Sequence, residues 1–164
     1  MLVCPEVFSA GTEAISKLLM GECLNETFDN IELWPSFFSG IEVITNRDTK
    51  QHCDLRSSAP VYDFLVSAGR HKNACLRLAD LNANLSYNPG TVVALCGKIL
   101  RHGMSPGWQG ERVCIAHFIR DSVHDRLKVK RPGWVTVKDF WEAMDQHFLS
   151  RQEWPAVYRA VNGL

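Results

Sequence analysis

Two histidines and one aspartate in this sequence have the types and spacing of a metal site. His52 and Asp54 stand two residues apart in the run HCD, so on an extended segment both side chains point to the same face. Such pairs arise often by chance, so a third ligand is needed, and His102 is the candidate. Two histidines and one carboxylate form the facial triad that leaves positions open on non-haem Fe(II). The spacing therefore predicts an iron site.

An arginine follows His102 at a distance that suits the binding of an anion beside the metal. His102 ends the predicted strand KILRH, the chain turns through GMSPGWQG, and Arg112 begins the returning strand. We expect this hairpin to place His102 and Arg112 on neighbouring antiparallel strands. A planar guanidinium binds a carboxylate through two parallel hydrogen bonds, so Arg112 is the predicted anchor of a dicarboxylate co-substrate.

The strand that contains Arg112 has one face suited to line a cavity, because residues two apart share a face. The Arg112 face also carries Cys114, Ala116 and Phe118. The opposite face carries Val113, Ile115, His117 and Ile119. The small side chains on the first face leave room for a ligand, and the second face can pack under helices.

Short apolar or alternating runs predict the strands that must position these side chains. They cover residues 41–45, 61–68, 74–81, 91–96, 98–102 and 113–119. Turn-forming clusters such as NPG separate them, which is typical of a β-sandwich, barrel or jelly roll. We therefore expect a mainly β (α+β) fold with flanking N- and C-terminal helices.

Helical periodicity appears on both sides of the strands. Thr12 is a candidate N-cap for a short helix with apolar residues at Ile15, Leu18, Leu19 and Cys23. Thr136 is a candidate N-cap for a second helix with a stripe of Val137, Phe140, Trp141, Met144 and Phe148. A last helical stretch is predicted over 151–161. We expect one domain over 1–164, with an N-terminal segment (1–39), a β core (40–126) and C-terminal helices (127–164).

Composition narrows the class of protein. No run of about 18 apolar residues occurs, so we expect no membrane span. Six cysteines without a CxxC pair argue against a zinc ribbon or thioredoxin motif and favour reduced thiols inside the cell. Residues 1–54 hold nine acids and three bases, and the remaining residues hold nine acids and fifteen bases. This basic excess permits contact with a polyanion without requiring it.

Three segments resemble a known family. NRDTKQHCD (46–54), YNPGTVVALCGKILRHG (87–103) and GERVCIAHFIRDSVH (110–124) resemble the TET/JBP branch of the 2-oxoglutarate- and Fe(II)-dependent dioxygenases, particularly its fungal members. The resemblance covers roughly residues 40–126 and implies a double-stranded β-helix, a cupin-like jelly roll. It implies that His52, Asp54 and His102 bind Fe(II) and that Arg112 pairs with the distal carboxylate of 2-oxoglutarate. It also places Arg47, five residues before His52, near the co-substrate.

The resemblance implies a reaction and a substrate class. 2-Oxoglutarate and O2 would be consumed to hydroxylate the methyl group of 5-methylcytosine, thymine or N6-methyladenine in nucleic acid, with DNA favoured over RNA. Such a base must be flipped out of a duplex before it can be oxidised. The process that the resemblance implies is DNA demethylation. We therefore expect an intracellular protein of the nucleus. Only 51 residues precede His52, fewer than is usual in this branch. We therefore interpret the chain as a shortened member or a fragment.

Two alternative functions stay open. The same oxygenase chemistry could act on a protein side chain or a small molecule, or the chain could be a catalytically silent β-domain that binds a partner. Among other polar residues, we expect His117 to be packed on the outer face, and Arg120 and His124 to be solvated. Asn46 and Tyr87 are secondary candidates for lining the pocket, and His147 has no assigned role.

Overall fold

The computed structural model describes residues 4–20, 33–34, 36–134 and 136–139. Within these residues, seven strands and two α-helices follow in chain order. These are α1 (Pro5–Leu19), β1 (Gly40–Thr45), β2 (Asp63–Lys72), β3 (Cys75–Leu78), β4 (Ala83–Ser86), β5 (Val92–Leu95), β6 (His102–Met104), β7 (Gln109–Phe118) and α2 (Asp121–Leu127). A short 3-10 helix, Ala79–Leu81, joins β3 to β4.

The strands form two antiparallel sheets. A four-stranded sheet has the order β1-β7-β2-β5, and a three-stranded sheet has the order β4-β3-β6. Strand β7 is central, since it pairs with β1 on one side and with β2 on the other. This arrangement confirms the expected mainly β jelly roll, which has α1 before the strands and α2 after them.

The register of β7 against its neighbours decides which side chains face the cavity between the sheets. Cys114 lies opposite Ser67 of β2, and Arg112 lies opposite Gly69. Gly69 has φ +104°, and a Cβ there would lie 2.3 Å from the backbone oxygen of Glu111. Only glycine fits this close approach, which keeps the Arg112 end of β7 paired to β2.

Three clusters of buried residues hold the elements together. The first joins the two sheets and contains Ala74, Leu76, Leu78, Tyr87, Leu95 and Cys114. The second contains Cys4, Val7, Phe38, Val61 and Ile119. The third joins α1 to α2 and contains Ala10, Ala14, Leu127 and Val129. Burial of these apolar side chains provides the main force that fixes β7 between the helices and the cavity.

The predicted start of the first helix is wrong, and of its predicted apolar face Leu18 packs against the α1–α2 cluster. Helix α1 begins at Pro5, after Cys4 as N-cap, so Thr12 lies inside the helix. Its buried residues are Val7, Ala10, Gly11 and Ala14. Proline is favoured in the first turn, and small side chains let the helix approach the body of the protein closely. The larger Leu19 is exposed, and Cys23 lies outside the described residues.

Two of the predicted strands need a larger correction, and one strand was missed. Residues 98–101 form a turn rather than a strand, and His102 begins β6 instead of ending KILRH. The run 74–81 leaves the sheet at Leu78 and continues as the 3-10 helix. Strand β4 was missed, because ANLS has little apolar character and its place in the sheet comes from pairing with β3.

The chain divides into two compact units, residues 1–132 and 133–164. In the second unit the Thr136 cap is confirmed, since the Asp139 amide donates to Thr136 Oγ1 at 3.2 Å. Val137, the first residue of the predicted apolar stripe, is exposed. The other residues of the stripe, His147 and the stretch 151–161 lie outside the described residues. Among the described helices, none is both long and apolar enough to cross a bilayer.

Candidate metal centre and its cavity

His52, Asp54 and His102 meet at one point of the cavity. One possible ligand atom from each side chain lies within 4.8 Å of the others. Asp54 lies between the rings, with Oδ1 3.6 Å from His52 Nε2 and Oδ2 3.5 Å from His102 Nε2. Backbone hydrogen bonds of 2.9 Å in both directions join His52 to His102. Residues that are 50 positions apart are therefore placed side by side by main-chain pairing.

Each imidazole is oriented by the nitrogen that faces away from this point. His52 Nδ1 lies 2.9 Å from the Lys50 carbonyl, and His102 Nδ1 lies 2.9 Å from the Leu100 carbonyl. A carbonyl can only accept, so each Nδ1 donates its proton and each Nε2 keeps a free lone pair. Histidines that bind metals are commonly held this way. Two imidazole nitrogens and one carboxylate fit a divalent transition metal such as Fe(II).

A glycine keeps the Asp54 carboxylate in place. The Asp54 amide donates to the Gly97 carbonyl at 2.8 Å, in the turn after β5. A Cβ on Gly97 would lie 2.5 Å from a carboxylate oxygen of Asp54 and 2.5 Å from one of Asp63. A larger residue at position 97 would require both carboxyl groups to shift from these positions. The absence of a side chain on Gly97 therefore helps to fix where the Asp54 carboxylate lies.

Arg112 is a fully buried cation without an anionic partner. Its side chain leaves β7, only 1% of the residue is exposed, and it lines the same cavity as the three candidate ligands. Arg112 Nη2 donates to the Arg47 carbonyl at 2.8 Å, but Nε has no partner. No carboxylate of the described residues forms an ion pair with Arg112. Its guanidinium carbon also lies 5.7 Å from the Trp108 ring centroid. A buried charge is costly unless it is paired, so the guanidinium is a candidate site for an anion that enters the cavity.

Hydrogen bonds to Asn46 and Arg47 hold the backbone and the side chain of Arg112 in place. The Arg112 amide donates to Asn46 Oδ1 at 2.8 Å, and the Arg47 carbonyl accepts from the guanidinium. The Arg47 side chain lines the cavity, is 56% exposed and lies 3.6 Å from Glu42. Arg47 therefore contacts Arg112 through its backbone carbonyl, a role that does not depend on the charge of its side chain.

The predicted hairpin between His102 and Arg112 is wrong. Strand β6 pairs with β3 in the three-stranded sheet, whereas β7 pairs with β1 and β2 in the other sheet. The loop from Ser105 to Trp108 is long enough to cross between the sheets. His102 and Arg112 consequently line the cavity from different sheets, which leaves room between them.

The two faces of β7 lie as the sequence predicted. All four residues of the first face line the cavity: Arg112, Cys114, Ala116 and Phe118. His117, on the opposite face, packs with its ring centroid 5.6 Å from that of Phe38. The alternation of β7 thus separates a ligand-facing side from a core-facing side.

A family model matches most of the chain. The Tet_JBP model, which describes the oxygenase domain of the 2OGFeDO superfamily, matches residues 4–121. The chain belongs to the Tet_JBP family. Membership in the 2OGFeDO superfamily implies Fe(II) and 2-oxoglutarate as cofactor and co-substrate. No curated protein matches the chain in sequence.

Two solved structures resemble this Tet_JBP domain at low identity. NgTET1 in complex with 5mC DNA is 19% identical, with a TM-score of 0.46, and the match covers 80% of this chain and 49% of that chain. A Cupin 2 conserved barrel domain protein from Salinispora arenicola is 17% identical, with a TM-score of 0.39, covering 58% and 76%. The Tet_JBP chain thus spans about half the length of the NgTET1 chain.

Tyr87 lies in the wall of the Tet_JBP cavity and is held by a buried polar cluster. Its hydroxyl lies 3.4 Å from Cys114 Sγ, and burial raises the pKa of Tyr87. The Tyr87 carbonyl accepts from Ser67 Oγ at 3.0 Å and from His71 Nε2 at 3.0 Å. Sequence reasoning missed His71. Its position on the same face of β2 as Ser67 is the only sequence feature that indicates an inward side chain.

Two residues expected at the surface lie elsewhere. His124 is 1% exposed on α2, so the predicted surface role is wrong. Its neighbours Val123 and Leu127 belong to the cluster that joins α1 to α2. Arg120 lines the cavity, with its guanidinium carbon 4.1 Å from the Phe118 ring centroid. The Arg120 charge is therefore at the cavity wall rather than simply solvated.

Sequence reasoning also missed Asp63, the first residue of β2. It lines the cavity and only 3% of it is exposed, and the Ser57 side chain and the Gly97 backbone are hydrogen-bonding groups that act on it. Burial, together with the nearby Asp54 carboxylate, raises the pKa of Asp63 to about 7, although Arg120 acts in the opposite direction. The polar position at the start of an apolar strand is the signal that could have identified it.

Proposed function

We propose that the chain is an Fe(II)- and 2-oxoglutarate-dependent dioxygenase that hydroxylates the methyl group of a methylated base in nucleic acid, with DNA as the preferred polymer. One observation carries the oxygenase part: the His52, Asp54 and His102 ligand atoms and the unpaired Arg112 guanidinium face one cavity. Family membership supports the methylated base as substrate.

Each residue has a distinct task in this proposal. His52, Asp54 and His102 hold Fe(II) through three ligand atoms, which leaves the remaining positions for exogenous groups. Arg112 binds the distal carboxylate of 2-oxoglutarate in a bidentate manner and so orients its keto acid end toward the metal. The bound iron supplies oxidation of a C–H bond by O2, coupled to conversion of 2-oxoglutarate into succinate and CO2.

One end of the cavity has side chains that could contact a substrate base. A base within a duplex cannot bring its methyl group to a buried metal, so the nucleotide must be flipped out or presented in a single strand. Phe118 and Arg120 lie at the end of β7 away from Arg112 and offer an aromatic and a cationic surface to such a base. A DNA substrate would also agree with the expected nuclear location.

Substitution of the ligands tests the metal site. We expect His52→Ala and Asp54→Ala to abolish 2-oxoglutarate-dependent succinate formation while the thermal unfolding midpoint stays close to that of the wild type. Asp125→Ala is a matched control, since Asp125 lies on α2 and pairs with Arg131. Wild-type turnover in either ligand variant would refute the assignment.

A substrate screen tests the polymer and the base. Oligonucleotides that contain 5-methylcytosine, N6-methyladenine, thymine or no methylated base are incubated with Fe(II), 2-oxoglutarate and O2, and oxidised bases are measured by mass spectrometry. Base oxidation matched by succinate formation supports the proposal. Succinate formation driven only by peptides or small molecules would contradict the nucleic-acid substrate. A folded, iron-loaded chain that never binds 2-oxoglutarate would contradict the oxygenase and favour a binding domain.

A further inference from the structure

A short segment before the first candidate metal ligand contacts both the backbone and the side chain of Arg112. This bridging segment covers residues 46–49 and ends three positions before His52. The Asn46 amide donates to the Arg112 carbonyl at 2.9 Å, and the Arg112 amide donates to Asn46 Oδ1 at 2.8 Å. The Arg47 carbonyl accepts from Arg112 Nη2 at 2.8 Å. These contacts attach Arg112 to the part of the chain that leads to the metal site.

Trp108, in the loop between β6 and β7, lies against the guanidinium of Arg112. The guanidinium carbon lies over the indole ring, 5.7 Å from its centroid. The face of an aromatic ring attracts a cation within about 6 Å of its centroid. The same side chain packs against the buried cluster that contains Tyr87 and Cys114. The indole therefore limits the orientations of the guanidinium, in addition to the hydrogen bond that holds Nη2.

Asp48 of the bridging segment holds this indole in place. Trp108 Nε1 donates to Asp48 Oδ1 at 3.2 Å, and the two residues are 60 positions apart in the sequence. A hydrogen bond to a carboxylate is stronger than one between neutral groups. The bridging segment lies close to β6 because Gly103 has no side chain, since a Cβ there would be 2.8 Å from the Thr49 carbonyl oxygen. Asp48 thus acts on the guanidinium of Arg112 through Trp108.

We propose that Asp48 is a positioning residue for the co-substrate, because its hydrogen bond to Trp108 holds the indole against the Arg112 guanidinium. This inference rests on the proposed function, in which Arg112 binds 2-oxoglutarate. A side chain that must be ordered during binding reduces the affinity, whereas a side chain that is already ordered does not. The preorganised guanidinium binds the carboxylate with a smaller loss of side-chain entropy. Neither Asp48 nor Trp108 has to touch 2-oxoglutarate for this effect.

Variants on both sides of the Asp48–Trp108 hydrogen bond test the proposal. Asp48→Ala removes the acceptor, and Trp108→Phe removes the donor but keeps an aromatic ring. Each should weaken the Kd of the Fe(II)-loaded chain for 2-oxoglutarate by about 2- to 10-fold, which is the cost of ordering one side chain. The double variant should bind no more weakly than the weaker single variant, because both changes remove the same hydrogen bond. The matched controls are Asp125→Ala on α2 and Trp134→Phe at an exposed position.

The sign of the effect separates positioning from simple electrostatics. Removal of a negative charge near Arg112 would by itself favour the binding of an anion. A weaker Kd in Asp48→Ala therefore has the opposite sign to a charge effect. Asp48→Asn keeps an acceptor oxygen without the charge, so it should bind 2-oxoglutarate as tightly as the wild type or more tightly.

The anaerobic charge-transfer band measures the Kd for 2-oxoglutarate, and the Kd for Fe(II) and the thermal unfolding midpoint are measured beside it. Both of these should stay close to the wild-type values in Asp48→Ala and Trp108→Phe. An unchanged or tighter Kd for 2-oxoglutarate in Asp48→Ala, or an equal loss of affinity in Asp48→Asn, would overturn the role of Asp48. A parallel loss of Fe(II) affinity or of the unfolding midpoint would assign Asp48 to folding instead. If the iron-loaded wild type bound no 2-oxoglutarate, the proposed function would fail, and this inference with it.

Discussion

Replacement of Arg112 by methionine gives a direct test of the co-substrate site. The change keeps most of the side-chain volume and removes the charge. Loss of one partner from a buried, hydrogen-bonded charge pair costs roughly 2–5 kcal/mol, which corresponds to about a 30- to 4000-fold weaker Kd for 2-oxoglutarate. The free protein should lose only about 1 kcal/mol, since Arg112 has no carboxylate partner among the described residues and the variant removes only its hydrogen bond to the Arg47 carbonyl. Anaerobic titration of the Fe(II)-loaded chain with 2-oxoglutarate, followed through its visible charge-transfer band, measures the Kd.

Two companion variants make the result specific. Arg112→Lys keeps the positive charge but loses the planar fork, so its Kd should lie between those of the wild type and Arg112→Met. Arg77→Met makes the same change at an exposed position of β3 and should leave the Kd unchanged. An unaltered Kd in Arg112→Met would refute the reasoning, because the buried guanidinium would then have no part in binding. A large fall in the unfolding midpoint would show that Arg112 is needed for folding instead.

Two other features give independent predictions. Gly97→Ala places a Cβ 2.5 Å from the Asp54 and Asp63 carboxylates, so Fe(II) affinity should fall by about 10- to 100-fold. Gly133→Ala, where a Cβ meets nothing within 4 Å, is the control, and equal affinity in both variants would contradict the contact. Burial lowers the pKa of His124 from its usual value of 6.5. Below pH 6.5 the unfolded state therefore takes up a proton that the folded state does not. As a result, the free energy of unfolding falls by up to about 1.4 kcal/mol per pH unit. Urea unfolding at pH 7.5 and 5.5 should show this loss in the wild type and not in His124→Leu, and equal losses would refute it.

The parts of the site that depend on local periodicity could be predicted from the sequence. Residues two apart on an extended strand share a face, which placed Arg112 with Cys114 and Ala116 and turned His117 the other way. The spacing of His52 and Asp54 was informative for the same reason. Many short strands with turn residues between them need facing sheets to bury their apolar sides, which predicted a sandwich, a barrel or a jelly roll. Only the resemblance to the TET/JBP branch selected the jelly roll among these.

The parts that depend on long-range pairing could not be predicted. His102 was expected to be paired with the Arg112 strand, but three residues of β6 contain too little pattern to choose between β7 and β3. Helix α1 was read from its large apolar residues, whereas Ala10, Gly11 and Ala14 make the close contacts. Asp63 was missed because its burial results from the fold rather than from its neighbours in sequence.

The separation of charge along the cavity gives a physical reason for the direction in which a dicarboxylate binds. Arg112 is a cation without a carboxylate partner at one end, whereas the Asp63 and Asp54 carboxyl groups lie toward the other, near the Arg120 guanidinium. A carboxylate placed beside Asp63 and Asp54 would meet two carboxyl groups, which the single Arg120 cation offsets only in part. A carboxylate placed at Arg112 would form two charge-assisted hydrogen bonds. We infer that this polarity directs 2-oxoglutarate to the Arg112 end.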